Sequence, residues 1–457
     1  MAFDIRETAF KLPENWKLVR LGDIAKVNEK SLTKKSQPDF IRYIDISSVS
    51  TGAFDTPKLL KKDEIPSRAK RILRNNDFII STVRPNLKQF SFIEEAQENL
   101  IASTGFCVIS SNNSKLAWYL YSLITSDLFT EYLVKIADGG AYPAFNPKEI
   151  EDAIIPLPDK DNLEFISDTS RFFHKKIQLN TQINQTLEQI AQALFKSWFV
   201  DFDPVRAKIQ ALSDGMSLEQ AELAAMQAIS GKTPEELTAL SQTQPERYAE
   251  LAETAKAFPC EMVEVDGVEV PKGWELSTIG DCYDVVMGQS PKGETYNENK
   301  QGMLFYQGRA EFGWRFPTPR LFTTDPKRIA EQNSILMSVR APVGDINIAL
   351  EKCCIGRGLA ALQHKSKSLS FGLYQIQSIK PELDLFNGEG TVFGSINQAN
   401  LKNIQIINPE EKFIQLFEKN LSSCDSKIMN NEIENNALKE IRDLLLPRLL
   451  SGKIEND

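Results

Sequence analysis

Histidine and cysteine are the side chains that most often hold metals or act as nucleophiles, and this sequence has few of them in useful positions. The two histidines are His174 and His364, whereas a histidine metal site or a Ser/His triad needs imidazoles that converge in space. The six cysteines form no C-x-x-C pair, so the sequence predicts neither a zinc site nor a disulfide framework. We expect reduced thiols and no metal site.

Two glycine motifs could indicate a cofactor or nucleotide site. Residues 386–390 (FNGEG) fit the F-x-G-x-G pattern of S-adenosylmethionine sites, but no strand pattern directly precedes them and the chain has no D/N-P-P-Y/F catalytic loop. Gly231-Lys232-Thr233 resembles the end of a P-loop, but Met226 stands where a P-loop needs its first glycine. The sequence therefore predicts no cofactor bound to this chain and no catalytic residue.

Exposed Arg, Lys, Asn and Gln side chains can read a DNA duplex, and each half of the chain offers a set of candidates. The first half carries Lys58, Lys61, Lys62, Arg68, Lys70, Arg71, Arg74, Arg84 and Lys88. The second half carries Tyr306, Gln307, Arg309, Arg315, Arg320 and Arg340. We expect phosphate contact for most of them, because about half or more of protein–DNA hydrogen bonds go to the backbone. For each residue, a solvated surface charge is the alternative.

The distribution of charge is compatible with DNA contact, although the net charge of the chain is −9. Residues 159–269 carry ten Lys/Arg and nineteen Asp/Glu, whereas residues 1–158 and 270–408 are nearly balanced at +1 and +2. Phosphate contact depends on the local patch more than on the global isoelectric point. Because the chain has no bilayer-length apolar run and no signal-peptide core at its start, we expect a cytoplasmic protein.

The elements that must position these side chains are those of a diverged tandem repeat. Residues 12–16 (LPENW) recur as 270–274 (VPKGW), and residues 82–85 (TVRP) recur as 338–342 (SVRAP). Arg84 and Arg340 occupy matching positions in the second pair, which favours a structural turn or a phosphate contact over sequence discrimination. Each half reads as a globular unit of short β-rich runs and helices, followed by a long amphipathic segment.

Each long segment has the apolar spacing of a helix that packs against another helix. Residues 166–198 alternate steps of four and three between seam positions, and residues 417–449 repeat this seam 251 positions later. Both central asparagines, Asn180 and Asn184, recur in the second seam. Helices of about 57 Å, at about 1.5 Å per residue, cannot be covered by one small domain. We predict an antiparallel pair with Asn180 near Asn435; two separately buried helices are the alternative.

The fold class that we predict is α+β, with two similar mixed α/β domains separated by a long antiparallel two-helix coiled coil in a pseudo-two-fold repeat. The expected segments are a first domain at 1–158, a first long helix at 159–200, an acidic helical connector at 201–269, a second domain at 270–408 and a second long helix at 409–457. Asp203-Pro204 should end the first long helix, and capping boxes at Ser217 and Thr233 should begin connector helices.

Several motifs resemble those of type I restriction–modification specificity subunits. They are the opening Leu-Pro-x-x-Trp with its following Leu-Gly-Asp, residues 338–344, residues 394–398 and, most specific, the mid-chain run 193–205 (ALFKSWFVDFDPV). The resemblance covers essentially the whole chain. It implies two target recognition domains, each reading one half of a split, asymmetric DNA sequence, and helices that space them. Arg442 departs from the first seam, which has Ala191 there, so the helix pair is not strictly symmetric.

The resemblance also implies a non-catalytic subunit that binds double-stranded DNA and two methyltransferase subunits, with two restriction/motor subunits joining for cleavage. S-adenosylmethionine, ATP and Mg²⁺ would be bound by those partners. We expect docking of the methyltransferases on apolar residues that the helix pair alone leaves exposed, namely Phe195, Trp198, Phe199, Leu446 and Leu450. Closure of the helix pair on itself is the alternative role for them. A stand-alone two-headed DNA-binding regulator and a scaffold without a DNA role are the alternative functions.

Overall fold

The structure is a computed structural model that describes residues 3–7, 12–138, 140, 142–388 and 394–453. The chain divides into two compact units: unit 1 comprises residues 1–183 and 430–457, and unit 2 comprises residues 184–429. Each unit therefore contains one globular domain together with part of each long helix. The last two residues of the glycine motif at 386–390 lie outside the described residues.

Unit 1 contains two four-stranded sheets with helices against them. Its strands are β1 (Lys17–Arg20), β2 (Lys26–Val27), β3 (Phe40–Ile44), β4 (Val49–Ser50), β5 (Ala53–Phe54), β6 (Lys58–Lys61), β7 (Ala69–Ile72), β8 (Asp77–Ser81), β9 (Phe90–Ile93), β10 (Leu100–Ser103), β11 (Phe106–Ser110) and β12 (Ile154–Leu157). Its helices are α1 (Leu21–Ile24), α2 (Ser114–Ile124), α3 (Asp127–Ile136) and α4 (Pro147–Glu151). The sheet orders are β6-β3-β10-β7 and β2-β11-β8-β9. Leu100 of the first sheet packs with Ile79 and Val108 of the second in one apolar core.

Unit 2 has two corresponding sheets, one of them with a fifth strand, together with the connector helices and a further hairpin. Its strands are β13 (Met262–Val265), β14 (Val268–Pro271), β15 (Glu275–Thr278), β16 (Tyr283–Met287), β17 (Tyr296–Asn297), β18 (Met303–Tyr306), β19 (Leu321–Thr323), β20 (Ile329–Ala330), β21 (Ile335–Ser338), β22 (Ile346–Ile348), β23 (Cys353–Ile355), β24 (Leu359–His364) and β25 (Gln405–Asn408). Its helices are α6 (Asp203–Ser213), α7 (Leu218–Ser230), α8 (Pro234–Thr243), α9 (Pro245–Ala257), α10 (Ile279–Cys282), α11 (Leu369–Ser378), α12 (Lys380–Asp384) and α13 (Gln398–Lys402). The sheet orders are β17-β19-β18-β23-β20 and β16-β24-β21-β22.

The two units share an unusual strand pairing, which confirms the tandem repeat and the mixed α and β content. In unit 1, β10 pairs with β3 in parallel and with β7 antiparallel. In unit 2, β23 pairs with β18 in parallel and with β20 antiparallel. The strand that opens each domain pairs with the one that closes it, as β1–β12 and β15–β25. Corresponding loops can therefore be compared between the units.

The two long helices are α5 (Lys160–Phe199) and α14 (Glu411–Leu450), each of 40 residues. In unit 1 the Nδ2 of Asn180 donates to the Oδ1 of Asn435 at 3.0 Å, which confirms the predicted contact. Asn184 is buried as well. As predicted, α5 ends before Asp203-Pro204, where α6 begins. The predicted capping boxes of Ser217 and Thr233 are also present.

The apolar residues at the ends of the long helices are not exposed as predicted. In unit 2, Phe195, Trp198 and Phe199 are at most 6% exposed, and their rings lie 5.0 to 5.9 Å from those of Phe258, Phe371 and Phe417. In unit 1, Leu450 is buried in the core of the globular domain and Leu446 is half-buried beside it. The prediction of an exposed docking surface at these residues is wrong, because the globular domain, and not only the partner helix, covers each helix end.

Candidate nucleic-acid interface

The described residues contain no group of three or more His, Cys, Asp or Glu side chains that could hold a metal ion. Burial lowers the pKa of His174 and of His364 to about 4, so both imidazoles are neutral core groups at pH 7. Gly231, at φ +65°, ends α7, and the Thr233 hydroxyl caps α8. The segment that resembles a P-loop is therefore a helix–helix link.

Within the described part of the chain, no helix combines the length and the apolarity that a membrane span requires.

The basic run of unit 1 follows the two edge strands of the sheet β6-β3-β10-β7. Lys58 and Lys61 lie on the β6 edge, Lys62 follows it, and all three are exposed. On the opposite edge, β7 carries exposed Lys70 and half-buried Arg71, with exposed Arg68 just before the strand. Among the described residues none of these six forms a salt bridge, so both edges of the sheet carry cations without an ion-pair partner.

The remaining predicted DNA contacts of unit 1 have partners within the unit. Arg74 pairs with Glu29, and Lys88 Nζ lies 2.5 Å from an Asp127 carboxylate oxygen. Arg84 has φ +50° at the start of a short turn, and its guanidinium lies 4.6 Å from the ring centroid of Tyr142. Because exposed ion pairs stabilise by only about 0–1 kcal/mol, they do not prevent a phosphate from taking either cation.

Four of the predicted contacts of unit 2 are exposed. Gln307 follows β18, and Arg340 follows β21. Arg309 pairs with an Asp345 oxygen at 2.5 Å, and Arg320 pairs with a Glu311 oxygen at 3.1 Å. These positions are compatible with DNA contact, but the basic surface is smaller than in unit 1.

Tyr306 and Arg315 must be removed from the predicted interface. Tyr306 is 3% exposed and belongs to the apolar core between the sheets. Arg315 is 5% exposed; its guanidinium forms ion pairs with Glu188 of α5 and Asp425 of α14. Both predictions are wrong, because the sequence does not reveal that Tyr306 of β18 faces the core or that the hairpin tip carrying Arg315 turns inward.

Sequence reasoning missed a basic pair on the matching edge of unit 2. Lys327 and Arg328 immediately precede β20 and are exposed. They lie 257 positions after Lys70 and Arg71, and both pairs are followed by an isoleucine. Because β7 and β20 occupy the same place in their sheets, we call Lys70-Arg71 and Lys327-Arg328 the edge pairs of unit 1 and unit 2. The repeat offset alone could have found the second pair.

Glycines bring three loops of unit 2 together beside its edge pair. A Cβ on Gly288 would stand 2.1 Å from the carbonyl oxygen of Gly356, and one on Gly356 would stand 2.7 Å from that of Gln307. No other residue type fits such close backbone approaches. The amide of Arg357 donates to the Ser290 hydroxyl at 3.3 Å. The three loops therefore form one continuous surface.

We call this surface, made of residues 288–290, 307–308 and 356–358, the loop patch of unit 2. Its exposed side chains are Gln289, Gln307 and Arg357. Gln binds adenine and Arg binds guanine through paired hydrogen bonds in the major groove. Only Gln307 among them was predicted from the sequence, because strand pairing, and not sequence proximity, assembles the patch.

The same three loops of unit 1 carry different chemistry. This loop patch consists of residues 30–31, 45–46 and 103–105, and it presents exposed Lys30 and Ser31 and half-buried Asp45 and Thr104. Ser31 forms a β-bridge with Arg71 of the edge pair. The Asp45 carboxylate accepts a hydrogen bond from the Tyr43 hydroxyl at 3.1 Å. Hydroxyl and carboxylate groups and one lysine ammonium thus stand where unit 2 has amides and a guanidinium.

Comparison with known proteins identifies the family of this scaffold. The family model described as "Type I restriction modification DNA specificity domain" matches twice, over residues 13–189 and 271–441. The specificity subunit of the type I restriction enzyme HindI of Haemophilus influenzae is 41% identical over 467 residues, which cover 96% of this chain and 100% of that protein.

More distant relatives share the full length of the chain. The putative type I restriction enzyme MjaX specificity subunit of Methanocaldococcus jannaschii is 27% identical, covering 97% of this chain and 95% of its own. The crystal structure of the type I restriction–modification S subunit from M. genitalium has the same fold at 14% identity, with a TM-score of 0.52 over 98% of both chains. This chain belongs to the DNA specificity subunits of type I restriction–modification systems, which are components for DNA recognition.

Proposed function

We propose that each unit reads one half of a bipartite, asymmetric DNA target, with its loop patch on base edges and its edge pair on phosphates. The observation that carries this proposal is the chemical difference between the two loop patches on matching sheets. Identical patches would suit two identical half-sites. Ser31, Asp45 and Thr104 in one unit and Gln289, Gln307 and Arg357 in the other suit two different ones.

Unlike the loop patches, the two edge pairs do not differ between the units: each consists of a lysine followed by an arginine. A phosphate backbone is alike at every sequence, so a contact to it needs no variation between half-sites. In unit 1 the exposed cations Lys58, Lys61, Lys62 and Arg68 extend this surface. Arg84 and Arg340, at matching turns, suit the same role.

We further propose that α5 and α14 form an antiparallel coiled coil that sets the distance between half-sites. The buried asparagines of both seams support this, because polar residues at seam positions fix the register of paired helices. In this arrangement the recognition domains are residues 1–158 and 270–408, the helices are 159–200 and 409–457, and the connector is 201–269.

The partners that we propose are two methyltransferase subunits, joined for cleavage by two restriction/motor subunits. With Phe195, Trp198, Phe199 and Leu450 buried, the docking surface must lie elsewhere on the long helices. Ile190 and Ile441 occupy the same repeat position and are 51% and 46% exposed. Their matching exposure suits two copies of one partner. S-adenosylmethionine, ATP and Mg²⁺ would be bound by these partners, and this chain would remain non-catalytic.

The test is a change of half of the target. In a host strain, Gln307→Ala combined with Arg357→Ala should relax the methylated motif in one half-site only, since each paired base contact discriminates by about 1–3 kcal/mol. Asp45→Ala combined with Thr104→Ala should relax only the other half. Lys419→Ala, an exposed residue of α14, is the control and should leave the motif unchanged. A motif relaxed in both halves by either double variant would contradict the proposal.

A further inference from the structure

A hairpin follows β3 in unit 1, and a corresponding hairpin follows β18 in unit 2. The residue at the tip of this hairpin differs between the two units. In unit 1, Val49 pairs with Phe54, and in unit 2, Phe312 pairs with Pro317. Both hairpins therefore enclose four residues, and counting from the paired positions places Gly52 where Arg315 stands. One hairpin tip has no side chain and the other has a long cationic one.

In unit 2 the side chain of Arg315 joins the hairpin to both long helices. Its guanidinium pairs with Glu188 of α5 and Asp425 of α14 and lies 3.1 Å from the hydroxyl of Tyr374. The Tyr374 hydroxyl lies 3.1 Å from Glu188 as well. An ionic network fills the space beneath this hairpin, although the Nε of Arg315 is buried without a hydrogen-bond partner.

In unit 1 the helix positions beneath the hairpin have different chemistry. A Cβ on Gly52 would lie 3.7 Å from the Tyr121 hydroxyl and 3.9 Å from the His174 ring. His174 stands 251 positions before Asp425, and Arg442 stands 251 positions after Ala191. An acid is thus replaced by an imidazole, and a methyl group by a guanidinium.

A cavity of about 270 Å³ lies beneath the unit 1 hairpin. Its polar wall includes Tyr121, His174 and Arg442, and its apolar wall includes Phe90 and Leu450. This volume is just below that of common small-molecule sites, about 300–1,000 Å³. A few convergent polar groups against an apolar wall are typical of a ligand site.

The Tyr121 hydroxyl is the most informative group in this wall. Tyr121 is 5% exposed, yet no described residue forms a hydrogen bond with its hydroxyl. Its oxygen is not one of the fully buried polar atoms that lack a partner, because it opens onto the cavity. The hydroxyl faces the cavity and can donate a hydrogen bond to a group within it.

The charged side chains that line the cavity determine the charge that a ligand there should carry. Asp127 is neutralised by Lys88, and Asp443 binds Arg442 through Nε and Nη2, each at 2.9 Å. A guanidinium has five N–H donors, so Arg442 can also bind a second carboxylate. Burial, and then the charge of Arg442, lowers the pKa of His174 to about 4, so the ring adds no positive charge at pH 7.

We propose that this cavity binds a small organic acid, with its carboxylate on Arg442 and the Tyr121 hydroxyl and its apolar body against Phe90 and Leu450. The bound acid fills the space beneath the unit 1 hairpin, where Thr51 of the hairpin, His174 of α5 and Arg442 of α14 line the cavity, as the Arg315 network fills the space in unit 2. It stabilises unit 1 by mass action, because the cavity exists only in the folded state.

Binding of sodium benzoate to the full-length chain, measured by calorimetry and by thermal shift at pH 7, tests the proposal. Benzamide, which has nearly the same shape without the charge, is the matched ligand. Benzoate should bind and raise the Tm, and benzamide should not. Tyr121→Phe should weaken benzoate binding about tenfold, as expected for one hydrogen bond to a charged group. Arg442→Ala should weaken it at least as much, while Arg448→Ala, an exposed arginine of the same helix, should not.

The Tyr121→Phe variant keeps the test decisive, because it removes an unpaired hydroxyl and preserves the ring that packs in the core. Equal binding of benzamide and benzoate would overturn the proposal, as would unchanged benzoate affinity in Tyr121→Phe. Absence of benzoate binding to the unchanged chain at millimolar concentration would overturn it too. If inorganic phosphate raised the Tm and benzoate did not, the apolar part of the assignment would be wrong.

Discussion

The two units have corresponding sheets, but three sets of residues on them differ between the units to different degrees. These sets are the edge pairs, the loop patches and the hairpin tips. The edge pairs are identical in residue type, Lys70-Arg71 and Lys327-Arg328. The loop patches differ in every exposed side chain, and the hairpin tips differ most, as Gly52 and Arg315. In the proposed function, the repeat keeps the side chains that contact the uniform DNA backbone and varies those that contact particular bases.

The hairpin tips show that the globular domain contacts the long helices through different interactions in each unit. Unit 2 uses buried ions, whereas unit 1 uses aromatic packing of Trp118 and Tyr121 around His174. Because neither solution depends on the DNA sequence, mutations there should change stability, and mutations in the loop patches should change specificity.

The largest effect is expected from breaking the ion network of unit 2. Arg315→Met leaves Glu188 and Asp425 buried without their cation, which costs about 3–5 kcal/mol of unfolding free energy. Burial raises the pKa of Asp425 and Arg315 opposes that rise, so the variant should bind a proton there and lose less stability at acidic pH. Hydrogen exchange should show faster exchange in unit 2 and unchanged exchange in unit 1.

The matched control is Arg309→Met, which removes an exposed arginine paired with Asp345. Such pairs contribute about 0–1 kcal/mol, so its exchange should resemble that of the unchanged chain. If Arg315→Met were as stable as Arg309→Met, the network would not attach the domain to the helices.

A smaller effect is expected at the edge pairs, and it should be equal in the two units. Lys70→Ala with Arg71→Ala, or Lys327→Ala with Arg328→Ala, should weaken DNA binding by the complex with its methyltransferase subunits. Each should also reduce the slope of log affinity against log salt concentration by about 0.9 for each lost phosphate contact. An unchanged slope for one pair would place that edge away from the DNA and break the comparison between the units.

Much of the architecture could be predicted from sequence, because its signals are local. Heptad spacing predicted α5 and α14, and the residues at Ser217 and Thr233 predicted helix starts. The loop patches could not be predicted, since Gln289, Gln307 and Arg357 meet only through strand pairing.

The sequence also did not show which side chains point into the core. Trp198 looked like an exposed anchor and Arg315 like a DNA contact, but both are buried by elements distant in sequence. The sequence shows that a residue is apolar or charged, but not which neighbours the fold brings to it.

The central claim is that the long helices α5 and α14 set the distance between two DNA-recognition domains. Lengthening both helices tests this claim most directly. Four residues inserted after Asn184 in α5 and four after Asn430 in α14 add about one turn, or about 6 Å, to each helix. The control is a four-residue insertion after Gly215, between α6 and α7 of the connector, which should leave the methylated motif of the host strain unchanged. For the helix insertions the account predicts the same half-site bases with a longer gap between them. Altered half-site bases with an unchanged gap would contradict it.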